Sequence, residues 1–184
     1  MTLKLEIVPD EDCESPRSFD CNVGRMALFN SRHTVPNETD PRIKSGDFNG
    51  WEEMQQHLVK KHKACAILPV YMYDHSGTAL RTTPFNDSWD SGQLGFIYTT
   101  REIVADMLGK KKLTPAALRQ VVDCLKSEVK EFGLWMNGET YGYEIYDNDE
   151  FVEGCYGFIG EEHAQQEGNE ALEFLLKKES ENEQ

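Results

Sequence analysis

The stretch "TYGYEIYDNDEFVEGCYGFIG", residues 140–160, decides the fold class. Two aromatic-rich runs, "TYGYEIYD" (140–147) and "EFVEGCYGFIG" (150–160), are strand-like, and they are joined through "DNDE" (147–150), whose composition is that of a turn. The pattern predicts an antiparallel hairpin. Immediately before it, "LTPAALRQVVDCLKSEVKEFGLWMNG" (113–138) reads as a helix. Thr114 stands at the N-cap and Pro115 at the first helical position, and Leu118, Val121, Val122, Leu125 and Val129 fall on one face. The helix is expected to break near Gly133, with Asn137-Gly138 as a turn.

Further out, "GQLGFIYTT" (92–100) reads as a strand, and Thr100 as the cap of a short helix, "REIVADMLG", that ends at Gly109. "ACAILPVYMYDH" (64–75) has strand length, and its Pro69 argues for a bulge or an edge position. "WEEMQQHLVKKH" (51–62) spaces Trp51, Met54, Leu58 and, more loosely, His62 along one helical face. Glu52 and Glu53 open that helix and Lys60, Lys61 and His62 close it, matching the helix dipole. "LKLEIVP" (3–9) alternates as a half-buried strand does, "RMALFNS" (25–31) is a second early strand, and residues 33–49 are loop-like. "NEALEFLLKK" (169–178) is a last helix, followed by a polar tail, "ESENEQ" (179–184). The sum is an α+β fold: a single domain over residues 1–178 with a mainly antiparallel sheet covered by helices on one face. No internal repeat interrupts this reading.

Composition narrows the function classes. Of 184 residues, 28% are charged and 39% hydrophobic, a globular balance in which one domain with a proper core is expected. The longest apolar run, "ACAILPVYMY" (64–73), is about half the length that spans a bilayer, and the N-terminal residues carry no basic region followed by an apolar segment. The expectation is neither a secreted nor a membrane protein. The five cysteines, Cys13, Cys21, Cys65, Cys124 and Cys155, are scattered and never spaced as zinc-binding pairs, which fits reduced thiols in a cytoplasm. Cys65 and Cys124 lie inside apolar patterns, as small hydrophobes do.

Charge is more telling. With 19 Lys and Arg against 33 Asp and Glu, the formal net charge is −14, so nucleic acid is not expected as a direct partner. The excess concentrates in Glu139, Glu144, Asp147, Asp149, Glu150 and Glu153, with no basic residue among them, and in the C-terminal segment from Glu161. Basic residues gather in "VKKHK" (59–63) and "GKKKL" (109–113). Either the acidity serves solubility, or it forms a face that docks on a basic protein surface.

The chemistry-bearing stretch is "YMYDHSGTALRTTPFNDSWDSGQLGFIY" (71–98). Its two strand-like ends are joined by about seventeen residues without clear secondary structure, a length at which loops tend to carry function. Three readings stay open. In the first the loop is a brace: Asp74, Asn86, Asp87 and Asp90 bond backbone amides while Trp89 and Phe85 pin it to the sheet. In the second, Asp74, Asp87 and Asp90 with Ser76 and Ser88 offer oxygen ligands to Ca²⁺ or Mg²⁺, although not at EF-hand spacing. In the third, Asp74, His75, Ser76, Arg81, Thr82, Thr83, Asp87, Trp89 and Asp90 form an exposed binding surface. Catalysis has less support. His75 and Ser76 are sequence neighbours that point apart, Glu128 and Glu131 read as a solvated helix face, and no phosphate-loop, zinc-protease or dinucleotide motif occurs.

Three quoted segments carry a resemblance: "ILPVYMYDHSGTALRTTPFNDSWDSGQLGFIYTTRE", "LKSEVKEFGLWMNGETYGYEI" and "CYGFIG". The chain resembles a family of small uncharacterised proteins carried by bacteriophages and phage-derived islands, from about "VGRMALF" to "CYGFIG". The resemblance implies a phage accessory protein acting in the bacterial host cytoplasm. Accessory proteins of that kind are often small and acidic and block host nucleases or defence complexes, as anti-CRISPR or anti-restriction factors that mimic nucleic acid. The expected function is therefore a non-enzymatic inhibitor that binds a host nuclease or nucleic-acid-binding defence complex, with no cofactor, no metal and an open oligomeric state. The alternatives are a protein that sequesters a small nucleotide-like signal against the Asp74–Asp90 loop, and a metal-dependent hydrolase.

Overall fold

The computed structural model describes residues 2–40, 42–87, 89–109 and 113–182. Ser88 and three consecutive lysines, Lys110 to Lys112, lie outside the described residues, as do Glu183 and Gln184. The fold is α+β, with two antiparallel sheets and four helices among the described residues. The chain forms two compact units: residues 1–15 together with 134–184, and residues 16–133.

The first unit holds a three-stranded sheet in the order β1 (Leu3–Pro9), β6 (Thr140–Asp147), β7 (Glu150–Ile159). The hairpin between β6 and β7 forms where the sequence predicts it. Asn148 and Asp149 both take positive φ, 48° and 71°, the two-residue turn that Asn and Asp tolerate and that matches strand twist. Helix α4 (Glu161–Asn182) lies on one face. It begins eight residues before the expected start at Asn169 and takes in Gly168. That glycine is internal to the helix: a Cβ there would meet Leu5 Cδ1 at 2.7 Å and Tyr143 Cβ at 3.0 Å, so helix and sheet approach closely only without one. The helix also continues into the segment expected as a polar tail.

The second unit is built on a four-stranded sheet ordered β2 (Arg25–Leu28), β5 (Ser91–Thr100), β3 (Ala64–Asp74), β4 (Thr78–Arg81). Helix α1 (Trp51–His62) places Met54 and Leu58 against Ala27, Phe96 and Tyr98 on one face. Helix α3 (Pro115–Met136) follows the other face: Glu128 and Ile97 crowd the same point above Gly24, and Leu80 abuts Gly133. Residues 94–99 of β5 are consequently all buried. The covering on one face that the sequence suggested describes the smaller sheet, while the larger one carries helices on both.

Local chemistry explains the boundaries. Thr114 Oγ1 accepts the Ala117 N–H at 3.2 Å and Thr100 Oγ1 that of Ile103 at 3.4 Å, capping α3 and α2 (Arg101–Leu108) as expected. Pro69 pairs only with Phe96 of β5, since β4 stops at the Tyr71–Arg81 pair, so the proline sits at a locally open edge beside a register shift at Val70/Tyr71. Helix α3 does not break at Gly133, because the missing side chain lets it pass Leu80. Its buried stripe is Ala117, Val121, Leu125, Val129 and Phe132, which leaves Leu118 exposed. Cys124 is exposed as well, against the apolar role expected of it, while Cys65 is half-buried with its thiol pKa pushed up by burial.

Candidate functional site

The sequence-marked loop is largely ordered by its own hairpin. Ser76 (φ 53°) and Gly77 (φ 150°) turn the chain, and β4 pairs back on β3 from Asp74–Thr78 to Tyr71–Arg81. The seventeen residues thus contain a four-residue strand, too short to announce itself by periodicity. Arg81 closes the next corner: its Nε donates to Thr83 O at 2.8 Å, its Nη2 to Pro84 O, and its guanidinium stacks 3.8 Å above the Phe85 ring. Phe85 in turn packs on Tyr73. Arg81 is spent on this brace, with Thr82 half-buried and Thr83 exposed beside it.

Trp89 does not brace the loop as the first of the three readings has it. It is 95% exposed and pins nothing to the sheet. Asp87 Oδ1 accepts the Trp89 N–H at 2.8 Å, which fixes the backbone from which the indole projects. Asp90 is tied twice, its carbonyl accepting from Asp74 N at 2.8 Å and its Oδ2 lying 3.3 Å from His75 Nδ1.

A second segment, missed in the sequence, completes the site. β2 ends at Leu28 rather than Ser31, and Asn30 Oδ1 then accepts the N–H groups of Arg32 at 2.6 Å and His33 at 3.1 Å. This turn carries both side chains to the end of β3, where His33 Nε2 lies 3.0 Å and Arg32 Nη1 3.7 Å from Asp74 Oδ2. Asn30, Arg32, Asp74, Trp89, Asp90 and Gln93 are among the residues that line the resulting polar cleft of about 370 Å³. The available signal was the asparagine two residues past the end of the strand, a residue type that reorganises the following backbone.

Asp74, Asp87 and Asp90 keep separate partners, and among the described residues no group of three His, Cys, Asp or Glu side chains converges as a metal site. The six acidic residues of the hairpin region do not share one face either. Glu139 precedes β6, while Asp147, Asp149 and Glu150 surround the turn at its far end. Glu153 pairs with Ile145 on the side of α4 and accepts from Tyr143 Oη at 3.1 Å. Burial, aided by Glu153, pushes the Tyr143 phenol up to about 12. Glu144 lies on the opposite face and accepts the hydroxyls of both Tyr146 and Tyr156. These bonds, Tyr146 first, hold its carboxyl below the usual range, and the same hydrogen bond, with burial, pushes the Tyr146 phenol up to about 12.

Glu128 is the second correction. It is no solvated glutamate: Arg17 Nη1 donates to it at 2.7 Å, and Val23 and Gly24 present their N–H groups to its Oε1 at 2.7 and 3.1 Å. Comparison with protein-family models, with curated proteins and with solved structures finds no match to this chain. Among the described residues no helix is long and apolar enough to cross a membrane.

Proposed function

We propose that this chain is a non-enzymatic binding protein, a phage accessory factor that inhibits a host nuclease or nucleic-acid-binding defence complex by occupying its basic surface. The observation that carries the reading is how the carboxylates around β6 and β7 are held. Glu144 and Glu153 accept from tyrosine hydroxyls, Glu139 from the Asn137 amide, and Asp147 from the Thr2 N–H and the Asn148 amide. Neutral donors orient a carboxylate without cancelling its charge. The unit therefore presents fixed negative charge, as a nucleic-acid backbone does, and a formal net charge of −14 adds a field that speeds encounter with a basic partner. The phage context rests on the resemblance of residues 67–102, 125–145 and 155–160. Protein immobilised and exposed to bacterial cytoplasm should retain nucleic-acid-binding proteins that duplex DNA displaces, and a Glu139→Gln/Glu144→Gln/Asp147→Asn/Glu153→Gln variant should retain less. Retention indifferent to both overturns the reading.

One observation favours a second reading, sequestration of a nucleotide-like signal: the exposed indole of Trp89 stands at the rim of the polar cleft, as a stacking platform for a base does. A ligand released on denaturing the purified protein, and quenching of tryptophan emission when it is restored, distinguish this from docking on a protein.

A further inference from the structure

The backbone that carries Trp89 is tied on both sides. Asp87 accepts the Trp89 N–H, the Ser91 hydroxyl donates to Asp87 O, and the Asp90 carbonyl takes the Asp74 N–H at 2.8 Å. Tryptophan is highly buried on average, so an indole left in water on so fixed a backbone is a platform with little ordering left to lose.

The cleft that Trp89 borders has most of its donors in use and keeps its acceptors. Asn30 gives Oδ1 to the amides of Arg32 and His33 and Nδ2 to Met72 Sδ, and Gln93 donates through Nε2 to Gly95 O. Of Asp74 only Oδ2 is engaged, by His33 and Arg32, and of Asp90 only Oδ2, by His75. Among the described residues their Oδ1 atoms are left without a partner, and both side chains line the cleft. Open acceptors select a ligand that donates. Ribose does so through two neighbouring hydroxyls, and a carboxylate is the group that reads the 2′-hydroxyl in dinucleotide-binding folds.

Arg32 supplies the third element. Its side chain is 79% exposed and its Nη1 stands 3.7 Å from Asp74 Oδ2, beyond hydrogen-bond length, so its fork is open to a phosphate. Among the described lining residues it is the one Lys or Arg, set against two carboxylates, which suits a single phosphate and not a chain of them. The cleft volume of about 370 Å³ lies at the small end of ligand pockets, roughly 300–1,000 Å³, room for one nucleotide.

We infer that the cleft binds a ribonucleoside monophosphate, with its base on Trp89, its 2′-hydroxyl donating to Asp90, its 3′-hydroxyl to Asp74 and its phosphate on Arg32. The inference rests on the second reading above and names its ligand class and contacts.

Calorimetric titration of the common ribonucleoside monophosphates, their 2′-deoxy counterparts and the parent ribonucleosides tests it. At least one ribonucleotide should bind, about tenfold more tightly than its deoxy counterpart. Asp90→Ala should erase that difference while the deoxynucleotide binds at least as tightly as before. Arg32→Gln should reduce the ribonucleotide to the affinity of its nucleoside, and Trp89→Ala should weaken every ligand. Equal binding of ribo and deoxy forms overturns the inference and leaves the second reading standing, as does a ribose preference that survives Asp90→Ala in a protein that melts like wild type. If no mononucleotide binds, the inference falls, and the second reading falls with it when the denatured protein also releases no nucleotide-like ligand.

Discussion

Arg17 and Glu128 are 111 residues apart in sequence and 2.7 Å apart in space, with side chains only 5% and 11% exposed. Arg17 also meets Glu38 at 2.7 Å and donates to Gly24 O, while Glu128 holds the amides of Val23 and Gly24. One ion network thus joins the segment before β2 to the middle of α3. Removing one member leaves buried charge and buried amides without partners. Glu128→Ala should lower unfolding free energy by about 3 to 5 kcal/mol in denaturant titrations. Arg42, by contrast, is 88% exposed and shares Asp40 with Lys61, so Arg42→Ala should change stability little.

Trp89→Ala should leave stability within about 0.5 kcal/mol of wild type, because the indole makes no buried contact. Phe85→Ala should lower the melting temperature, since it removes the ring between Arg81 and Tyr73. If Trp89 serves the cleft, only its loss reduces ligand affinity in a normally folded protein. A large drop in melting temperature for Trp89→Ala contradicts the exposed placement.

Gly95→Ala should be among the most damaging single substitutions in the second unit. Gly95 has φ +154°, and a Cβ there would stand 2.0 Å from the carbonyl oxygen of Ala27 on the neighbouring strand. Overpacking of this kind costs about 1 to 3 kcal/mol or more. Loss of soluble expression, or a much lower denaturant midpoint, is the expected result.

Acid should weaken the α1 region through His62, whose ring meets Tyr98 at 5.2 Å and whose Nε2 is buried without a hydrogen-bond partner. Burial lowers its pKa, reinforced by Lys61 and His57 and opposed by Asp40. The folded state thus favours the neutral ring more than the unfolded chain does. The associated stability is present above the unfolded value of 6.5 and is lost as pH falls through the lower folded value. His62→Phe should flatten the stability profile across that window, measured by denaturant midpoints at a series of pH values.

Alkali reads the β1–β6–β7 sheet. With its phenol raised to about 12 by Glu144, Tyr146 should ionise late in an ultraviolet titration, and Glu144→Gln should bring that step back toward the ordinary value of 10. The sign is that of a raised pKa: this contribution to stability is complete below pH 10 and is lost as pH rises through about 12. An unchanged titration in Glu144→Gln denies the hydrogen bond.

What the sequence made legible was local. The bounds of β1 and α1, the Thr100 and Thr114 caps and the β6–β7 turn are each set by residues within a few positions, and all appear as read. β4 was missed because "TALR" is too short for its alternation to register. The start of α4 was missed because Ala164 is the one fully buried apolar residue in its first two turns. The Arg17–Glu128 bond and the seating of His33 on Asp74 join residues 111 and 41 positions apart, and no spacing rule reports those.

The pairing of β1 with β6 sets an order of events during synthesis. Residues 3–9 find their partner strand only after Thr140–Asp147 has been made, and the whole 16–133 unit lies between them. At ordinary translation speeds the ribosome needs on the order of ten seconds to cover that interval. During it the first strand waits unpaired while all four strands of the larger sheet are made. A ribosome stalled ahead of Thr140 would release a chain with the larger sheet intact and the acidic one never begun.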